Sequence, residues 1–128
     1  MPKVDRKLIK NKSKVIGSLK KIIKHENVLD HEDQLRPFET DALSAYKQKP
    51  LAVVFPENTE EVSKILSYCN QEKIKVVPRG AGTGLSGGAL PLEDGILLCL
   101  GKFNKILEID YKNRCVVTQP GVTNLSIT

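Results

Sequence analysis

Five of the nine glycines in this 128-residue chain fall within nine consecutive positions, residues 80–88. The largely β-branched run of residues 74–77 leads into this glycine-rich segment, and Arg79 stands at its entrance. Glycine loses more backbone entropy on folding than any other residue, so this density does not serve stability. It supplies positive φ angles and N–H groups that no side chain covers, which the cradling of a phosphate or diphosphate requires. The pattern therefore predicts an anion-binding loop rather than a flexible surface loop.

A chain of this length forms at most one domain, and its 40% of hydrophobic residues is enough for a core. No apolar run approaches the length that spans a membrane. The N-terminus carries Lys3, Asp5 and Arg6 where a signal peptide would begin its apolar stretch. These features predict a cytoplasmic protein.

The net charge of +5 arises within residues 1–30, which carry nine Lys or Arg against three acidic residues. Apolar side chains recur there at helical spacing, which predicts a basic amphipathic helical segment over residues 1–30. These side chains are Leu8, Val15, Ile16, Leu19, Ile22 and Ile23. Such a helix can lie on an anionic membrane or contact nucleic acid, but it more often packs on its own domain. Because the segment has no aromatic residue, we expect no nucleic-acid partner and at most a peripheral membrane contact.

The cysteines and histidines do not indicate a metal site. Cys69, Cys99 and Cys115 are far apart and form no C-x-x-C pair, so neither zinc nor a disulfide framework is supported. We expect all three cysteine side chains to be buried as small hydrophobes. His25 and His31 have no partner at metal-ligand spacing, so we expect both to be exposed and the chain to hold no metal.

Residues 51–56 and 74–78 are apolar, β-branched runs that predict two short strands. A strand, a helix and a strand in this order predict a β-α-β unit whose two strands are parallel. The glycine-rich segment then leaves the carboxyl end of the second strand, where open α/β sheets usually bind ligands.

The helix between these strands is predicted to run from Thr59 through Glu72. Asn58 and Glu61 have the spacing of an N-cap residue and the acidic residue at the third helical position. The apolar face of the helix is expected to consist of Val62, Ile65, Leu66 and Cys69.

Strands without helices are predicted after the glycine-rich segment, as an antiparallel continuation of the fold. Residues 95–100 form an apolar run, and residues 106–110 and 115–119 flank a polar turn as in a hairpin. A helix is predicted to begin near Thr123, little more than one turn before the last residue. Because so short a helix is marginal, we expect the chain to be truncated at its C-terminal end.

Two common phosphate-binding patterns do not fit the glycine-rich segment. It contains no lysine, which excludes a Walker A loop. The dinucleotide pattern Gly-x-Gly-x-x-Gly is met at Gly82, Gly84 and Gly87, but it must open a helix. The following Gly88 and Pro91 disfavour a helix there, so a Rossmann nicotinamide site is disfavoured.

Residues 78–89, PRGAGTGLSGGA, resemble the diphosphate-binding loop of FAD-linked oxidases of the vanillyl-alcohol oxidase / p-cresol methylhydroxylase type. Within that group the sequence is most similar to the branch that contains glycolate oxidase and D-lactate dehydrogenase. Residues 36–46, 49–51 and 119–125 also resemble this branch, so the resemblance covers roughly residues 30–128. It implies an α+β (α/β) fold, the N-terminal lobe of a two-lobe FAD-binding domain, over residues 31–128.

The resemblance also implies which residues contact the cofactor. Backbone N–H groups that surround the FAD diphosphate are those of Gly80, Ala81, Gly82, Thr83, Gly84, Gly87 and Gly88. The hydroxyls of Thr83 and Ser86 add hydrogen bonds, and Pro120 and Gly121 approach through their backbone. Arg79 either neutralises charge near the phosphates or forms a structural salt bridge. Some relatives attach the flavin through a His where Thr83 stands here, so non-covalent FAD is expected.

The function implied by the resemblance is FAD binding, as the N-terminal portion of an oxidoreductase that oxidises glycolate or D-lactate. Its partners would be a small 2-hydroxy acid and other oxidase subunits. No catalytic residue is nominated; Asp41 and Tyr46 are conceivable polar contacts. The isolated chain is expected to be inactive and to retain FAD weakly. The alternative is a non-catalytic module that binds a nucleotide or a partner chain through its basic helix, or a remnant without activity.

Overall fold

A computed structural model describes residues 3–128 of the chain, and in this range it contains five α-helices and six strands. The helices are α1 (Arg6–Lys10), α2 (Lys12–Ile22), α3 (Glu32–Leu35), α4 (Thr59–Gln71) and α5 (Asn124–Ile127). The strands are β1 (Val28–Leu29), β2 (Ala52–Val54), β3 (Lys75–Arg79), β4 (Gly95–Cys99), β5 (Ile106–Asp110) and β6 (Cys115–Thr118). Single 3₁₀ turns at His25–Asn27 and Arg36–Phe38 flank β1 and α3.

The first four strands form one mixed sheet in the order β1-β2-β4-β3. Strand β4 runs parallel to both of its neighbours, while β1 is antiparallel to β2 at one edge. Strands β5 and β6 form a separate antiparallel pair, which confirms the predicted hairpin. The mixed α/β fold expected from the resemblance is therefore present.

The place of β4 corrects the predicted antiparallel continuation. Strands β2 and β3 are parallel as predicted, but β4 lies between them and is parallel to both. Residues 80–94 return from the carboxyl end of β3 to its amino end, where Gly95 pairs with Lys75. The glycine-rich segment is thus part of a crossover without a helix. All five residues of β4 are buried, as is usual for a strand with parallel neighbours and both faces covered.

The two faces of this sheet are covered differently. Helices α2 and α4 cover one face, and the core there includes Val15, Leu19, Ile65, Cys69, Ile96 and Leu98. Residues from α3, the following 3₁₀ turn and the crossover cover the other face, where the packed side chains include Leu35, Phe38, Val53, Val77, Leu92 and Leu97. The edge of the sheet from which residue 80 departs is therefore held by a core on both sides.

The basic N-terminal segment packs on its own domain, as predicted. Val15, Ile16 and Leu19 of α2 are buried in the same core as β2 and β4. The helical segment breaks at Asn11, between α1 and α2. No helix in residues 3–128 is long and apolar enough to cross a membrane. The division of the chain at residue 30 stays a prediction.

Helix α4 is capped as its sequence predicts. The side chain of Asn58 accepts a hydrogen bond from the backbone N of Glu61 at 2.9 Å. The Glu61 carboxylate accepts from the backbone N of Glu57 at 2.7 Å rather than from that of the cap residue. Ile65 is buried as predicted, but Leu66 is 46% exposed, which corrects the predicted apolar face. Consecutive side chains of an α-helix point about 100° apart, so the side chain of Leu66 lies beside the buried face that contains Ile65.

The cysteine prediction is right for two residues and wrong for the third. Cys69 and Cys99 are buried, and burial raises the pKa of both thiols to about 11. Cys115 is exposed, because it begins β6 of the two-stranded hairpin, which lies outside the packed four-stranded sheet. His25 and His31 are exposed, as predicted.

Candidate cofactor-binding site

The candidate site lies at the edge of the sheet where the parallel strands β2, β4 and β3 end. Arg79 is the last residue of β3, and its carbonyl accepts a hydrogen bond from the backbone N of Leu100 at 3.0 Å. The backbone N of Gly121 donates to the carbonyl of Phe103 at 2.7 Å. These bonds bring the start of the glycine-rich segment and the predicted segment Pro120–Gly121 to the same edge.

Gly121 is required by this close approach. A Cβ at this position would lie 2.7 Å from the Phe103 carbonyl oxygen and 2.9 Å from that of Leu100. Its N–H is already bonded to Phe103, and Pro120 has no N–H. Neither residue therefore offers an unbonded N–H to a ligand at this edge.

The glycine-rich segment carries a row of unused hydrogen-bond donors. Within the described part of the chain, none of the backbone N–H groups of residues 80–89 donates to a protein oxygen. Buried or structural loops normally satisfy such groups, so a run of unused N–H groups is available to water or to an anion. The hydroxyls of Thr83 and Ser86 are also exposed and make no hydrogen bond to residues 3–128.

The five glycines of this segment have two different physical roles. Gly82 and Gly87 adopt φ values of +72° and +73°, which side-chain-bearing residues rarely adopt. Gly80, Gly84 and Gly88 do not have such angles, and a Cβ at any of them would meet no atom within 4 Å. Nothing among residues 3–128 requires glycine at those three positions. Each of the three leaves open space where a side chain would begin.

The side chain of Arg79 is held by backbone carbonyl groups from an earlier part of the chain. Its Nη1 donates to the carbonyl of Thr40 at 2.8 Å and to that of Phe38 at 3.3 Å. The guanidinium carbon lies 5.8 Å from the centre of the Phe38 ring. Among the described residues Arg79 forms no ion pair, so the salt bridge considered from the sequence is not made.

Residues 38–43, here called the bracket, lie against both positive-φ glycines. The backbone N of Ala42 donates to the carbonyl of Gly82 at 2.9 Å. The side chain of Leu43 lies 3.6 Å from the place where a Cβ of Gly87 would stand. Residues 36–46 were part of the family resemblance, but no pattern in the sequence places them against the loop.

Asp41, within the bracket, is buried with 6% of its surface exposed. One carboxylate oxygen accepts from the backbone N of Leu43 at 2.9 Å, and the other is buried without a partner among residues 3–128. Tyr46 is 54% exposed beyond the bracket. Asp41 thus lies within the bracket that contacts the glycine-rich segment, whereas Tyr46 lies on the surface.

A polar network that the sequence did not reveal lies near the same edge. Glu57 follows β2, and its carboxylate accepts from Asn27 Nδ2 at 3.0 Å and from Lys24 Nζ at 2.9 Å. These hydrogen bonds, together with one from Lys102, lower the pKa of Glu57 to about 2. Since Lys102 follows β4, the network ties the ends of two central strands together.

Other kinds of site are not supported in the described residues. In residues 3–128 no group of His, Cys, Asp and Glu side chains is arranged to hold a metal ion. A surface depression of about 560 Å³ lies against α2 and is lined by residues that include Lys12, Ile16, Lys20 and Asp30. Its charged rim is already paired, because Lys20 and Asp30 form an ion pair at 3.0 Å.

Comparison with known proteins agrees with the fold and with the glycine-rich segment. A family model described as "FAD binding domain" matches residues 50–127. The chain is 44% identical over 128 residues to glycolate oxidase subunit GlcD of Escherichia coli (strain K12), an overlap of 100% of this chain and 24% of that protein. It is also 44% identical over 109 residues to D-lactate dehydrogenase of Archaeoglobus fulgidus, an overlap of 84% and 24%.

A solved structure extends the likeness to the backbone. The crystal structure of p-cresol methylhydroxylase with substrate bound has a TM-score of 0.79 and 28% identity over 97% of this chain and 24% of that one. The chain spans about a quarter of the length of the curated relatives named above. The family resemblance predicted from the loop is confirmed. The chain belongs to the FAD binding domain family, whose cofactor is FAD.

Proposed function

We propose that residues 80–88 bind the diphosphate of a non-covalently held FAD. The observation that carries the proposal is the row of N–H groups of residues 80–89 that donate to no protein oxygen in the described chain. A diphosphate needs several donors around its oxygens, and successive backbone N–H groups supply them without a cationic side chain. The N–H donors are those of Gly80, Ala81, Gly82, Thr83, Gly84, Gly87 and Gly88.

The side chains of the loop add to these donors. The exposed hydroxyls of Thr83 and Ser86 donate to phosphate oxygens, and Pro120 and Gly121 approach the cofactor through their backbone. Thr83 has no imidazole through which a flavin could be attached, which supports non-covalent binding.

For the whole protein we propose an oxidoreductase that acts on a small 2-hydroxy acid. The names of the curated relatives state glycolate and D-lactate, which share a hydroxyl group next to a carboxylate. FAD would supply the acceptor for a hydride from the carbon that bears this hydroxyl. The described residues contribute binding and orientation of the cofactor. Because one relative is named as a subunit, we include further oxidase subunits as partners. The cytoplasmic location expected from the sequence stays part of the proposal.

A single alanine substitution tests the loop without disturbing the fold. Gly84 has no positive φ, and a Cβ there meets no atom within 4 Å, so Gly84→Ala should fold like the parent chain. That Cβ would occupy space that the diphosphate needs. Gly17→Ala is the matched control, since Gly17 lies in α2 and its Cβ would also meet nothing within 4 Å.

The readout is a fluorescence titration of FAD with the purified chain. We expect Gly84→Ala to raise the Kd for FAD by about tenfold or more, since glycine permits close backbone approach to phosphate, and Gly17→Ala to leave it unchanged. Equal Kd values for Gly84→Ala and the parent chain, at equal thermal stability, would contradict the proposal. We also expect too weak a complex for flavin to co-purify stoichiometrically.

A further inference from the structure

We infer that Arg79 is a positioning residue of the glycine-rich segment and not a ligand of the cofactor phosphates. It fixes Gly82 against the bracket, residues 38–43. The inference rests on the proposed function where it concerns FAD affinity, but the contacts that carry it exist in the ligand-free chain.

The Nη1 group of Arg79 is already bonded. Nη1 of Arg79 donates to two carbonyls of the bracket, those of Phe38 and Thr40, and the planar group lies over the Phe38 ring. Arginine presents its donors in a rigid plane, and this geometry suits simultaneous hydrogen bonding and stacking. A phosphate that bound Nη1 would have to displace these carbonyls, and the remaining donor groups of the side chain, Nε and Nη2, lie against Gly82.

The guanidinium of Arg79 also packs against Gly82. A Cβ at Gly82 would lie 2.6 Å from Nε and 2.7 Å from Cζ of Arg79, so the guanidinium fills the space beside this Cα. Glycine is therefore required at position 82 for two reasons, the φ of +72° and the lack of space for a Cβ. The side chain that heads the loop thus packs against a later residue of the same loop.

The bracket that Arg79 bonds to contacts both glycines with a positive φ. The bracket bonds to Gly82 through Ala42 and packs against Gly87 through Leu43. Arg79 reaches the bracket across 39 residues of sequence, to Thr40. Holding the two positive-φ positions orders the N–H row before a ligand arrives, which lowers the entropic cost of binding.

The test begins in the ligand-free chain, with amide hydrogen exchange at Ala42, whose N–H bonds to Gly82. We expect Arg79→Gln and Arg79→Lys to speed this exchange by about tenfold or more, because the local opening of the loop becomes easier. Exchange at the buried strand residue Val53 should stay unchanged, which shows that the fold is intact. Arg36→Gln is the matched control, because Arg36 is an exposed arginine just before the bracket. Unchanged exchange at Ala42 in both Arg79 variants would overturn the inference.

The second readout separates geometry from charge. Arg79→Lys keeps the positive charge but lacks the planar group, so positioning predicts that Lys and Gln weaken FAD binding by a similar factor. The dependence of Kd on salt should also stay the same, since no phosphate contact is lost. A lysine variant with parental affinity beside a weakened glutamine variant would overturn the inference in favour of direct phosphate binding.

A double substitution tests the packing itself. If the guanidinium fills the space beside Gly82, the loss of FAD affinity and the faster Ala42 exchange caused by Gly82→Ala should be smaller in an Arg79→Ala background. Strictly additive effects would count against the inference. If the parent chain binds no FAD, the proposed function fails for this chain. Exchange at Ala42 still decides the role of Arg79.

Discussion

Strands β4 and β5 each contain five residues, yet their surroundings are opposite. Every residue of β4 is buried between β2 and β3. Four of the five residues of β5 are exposed, including the apolar Ile106, Leu107 and Ile109. Strand β5 pairs with β6 alone, outside the four-stranded sheet. The difference shows that burial here follows from the layers around a strand and not from the apolar character of its residues.

The glycine-rich segment lies where these two regions meet. It is the crossover between β3 and β4 and is thus anchored in the packed sheet. Gly121, which follows the hairpin, reaches the same edge through its bond to Phe103. The site is therefore supported by the packed region and only bordered by the exposed one. The following predictions compare the two regions, beginning with the largest expected effect.

Leucine truncation should separate the regions most strongly. Leu97 in β4 is 0% exposed, so Leu97→Ala should lower the free energy of unfolding by about 2–5 kcal/mol through lost burial and a cavity. Leu107 in β5 is 61% exposed, and Leu107→Ala should change it by less than about 0.5 kcal/mol. Urea unfolding followed by circular dichroism measures both. Similar losses from the two variants would mean that the hairpin is as well packed as the sheet.

The reactivity of the three cysteines should differ between the packed sheet and the exposed hairpin. Cys69 and Cys99 are buried with a pKa of about 11, whereas Cys115 is exposed in β6. Since the thiolate is the nucleophile, iodoacetamide at mildly alkaline pH should modify Cys115 about a hundredfold faster or more than the other two. Peptide mass spectrometry over a time course gives the three rates. Early modification of Cys99 would show that the sheet opens readily.

Removal of a helix cap should show a smaller difference in stability between the two regions. Asn58→Ala removes the cap of α4, which packs on the sheet, and should cost about 1 kcal/mol of unfolding free energy. Thr123 caps α5, a helix of four residues with no buried residue, so Thr123→Ala should have no measurable effect on global unfolding. Thermal unfolding of the two variants beside the parent chain measures the difference. A cost for Thr123→Ala equal to that of Asn58→Ala would require α5 to unfold with the core.

The pH dependence of stability should be the smallest of these effects. Hydrogen bonds from Asn27 and Lys24 lower the pKa of Glu57 from 4.5 to about 2. Because this pKa is lower in the folded chain, the stabilisation is complete above about 4.5 and is lost as pH falls toward about 2. Glu57→Gln should flatten the stability curve in that window.

Asp110 provides the matched control for this acid titration. Hydrogen bonds from Asn113 lower its pKa as well, but it lies in the exposed hairpin. Because Asp110 and Asn113 are only three residues apart, their turn persists in part in the unfolded chain, so Asp110→Asn should change the acid part of the stability curve less than Glu57→Gln does. If Asp110→Asn flattened the acid part of the stability curve more than Glu57→Gln does, the comparison between the two regions would be reversed.

Local sequence patterns predicted the elements well because their signals are local. The cap at Asn58, the run that forms β4 and the turn of the β5–β6 hairpin each depend on a few neighbouring residues. The glycine-rich segment, through its similarity to one family, also led to the FAD binding domain.

The remaining features depend on contacts between distant residues. The position of β4 between β2 and β3 follows from the path of residues 80–94 and could not be predicted from its composition. The exposure of Cys115 depends on which layers cover the hairpin. The bonds of Arg79 to the bracket join residues 39 and 41 positions apart, and no periodicity reports such a pairing.

The central claim is that the unused N–H groups of residues 80–88 bind the FAD diphosphate. Backbone amide chemical shifts of the isotopically labelled chain, followed by NMR during titration with FAD, test it most directly. Riboflavin is the matched control ligand, because it carries the same ring system without the diphosphate. We predict saturable shifts at residues 80–88 with FAD and none there with riboflavin. Shifts confined to the basic helix α2, with the amides of residues 80–88 unmoved by FAD, would contradict the claim.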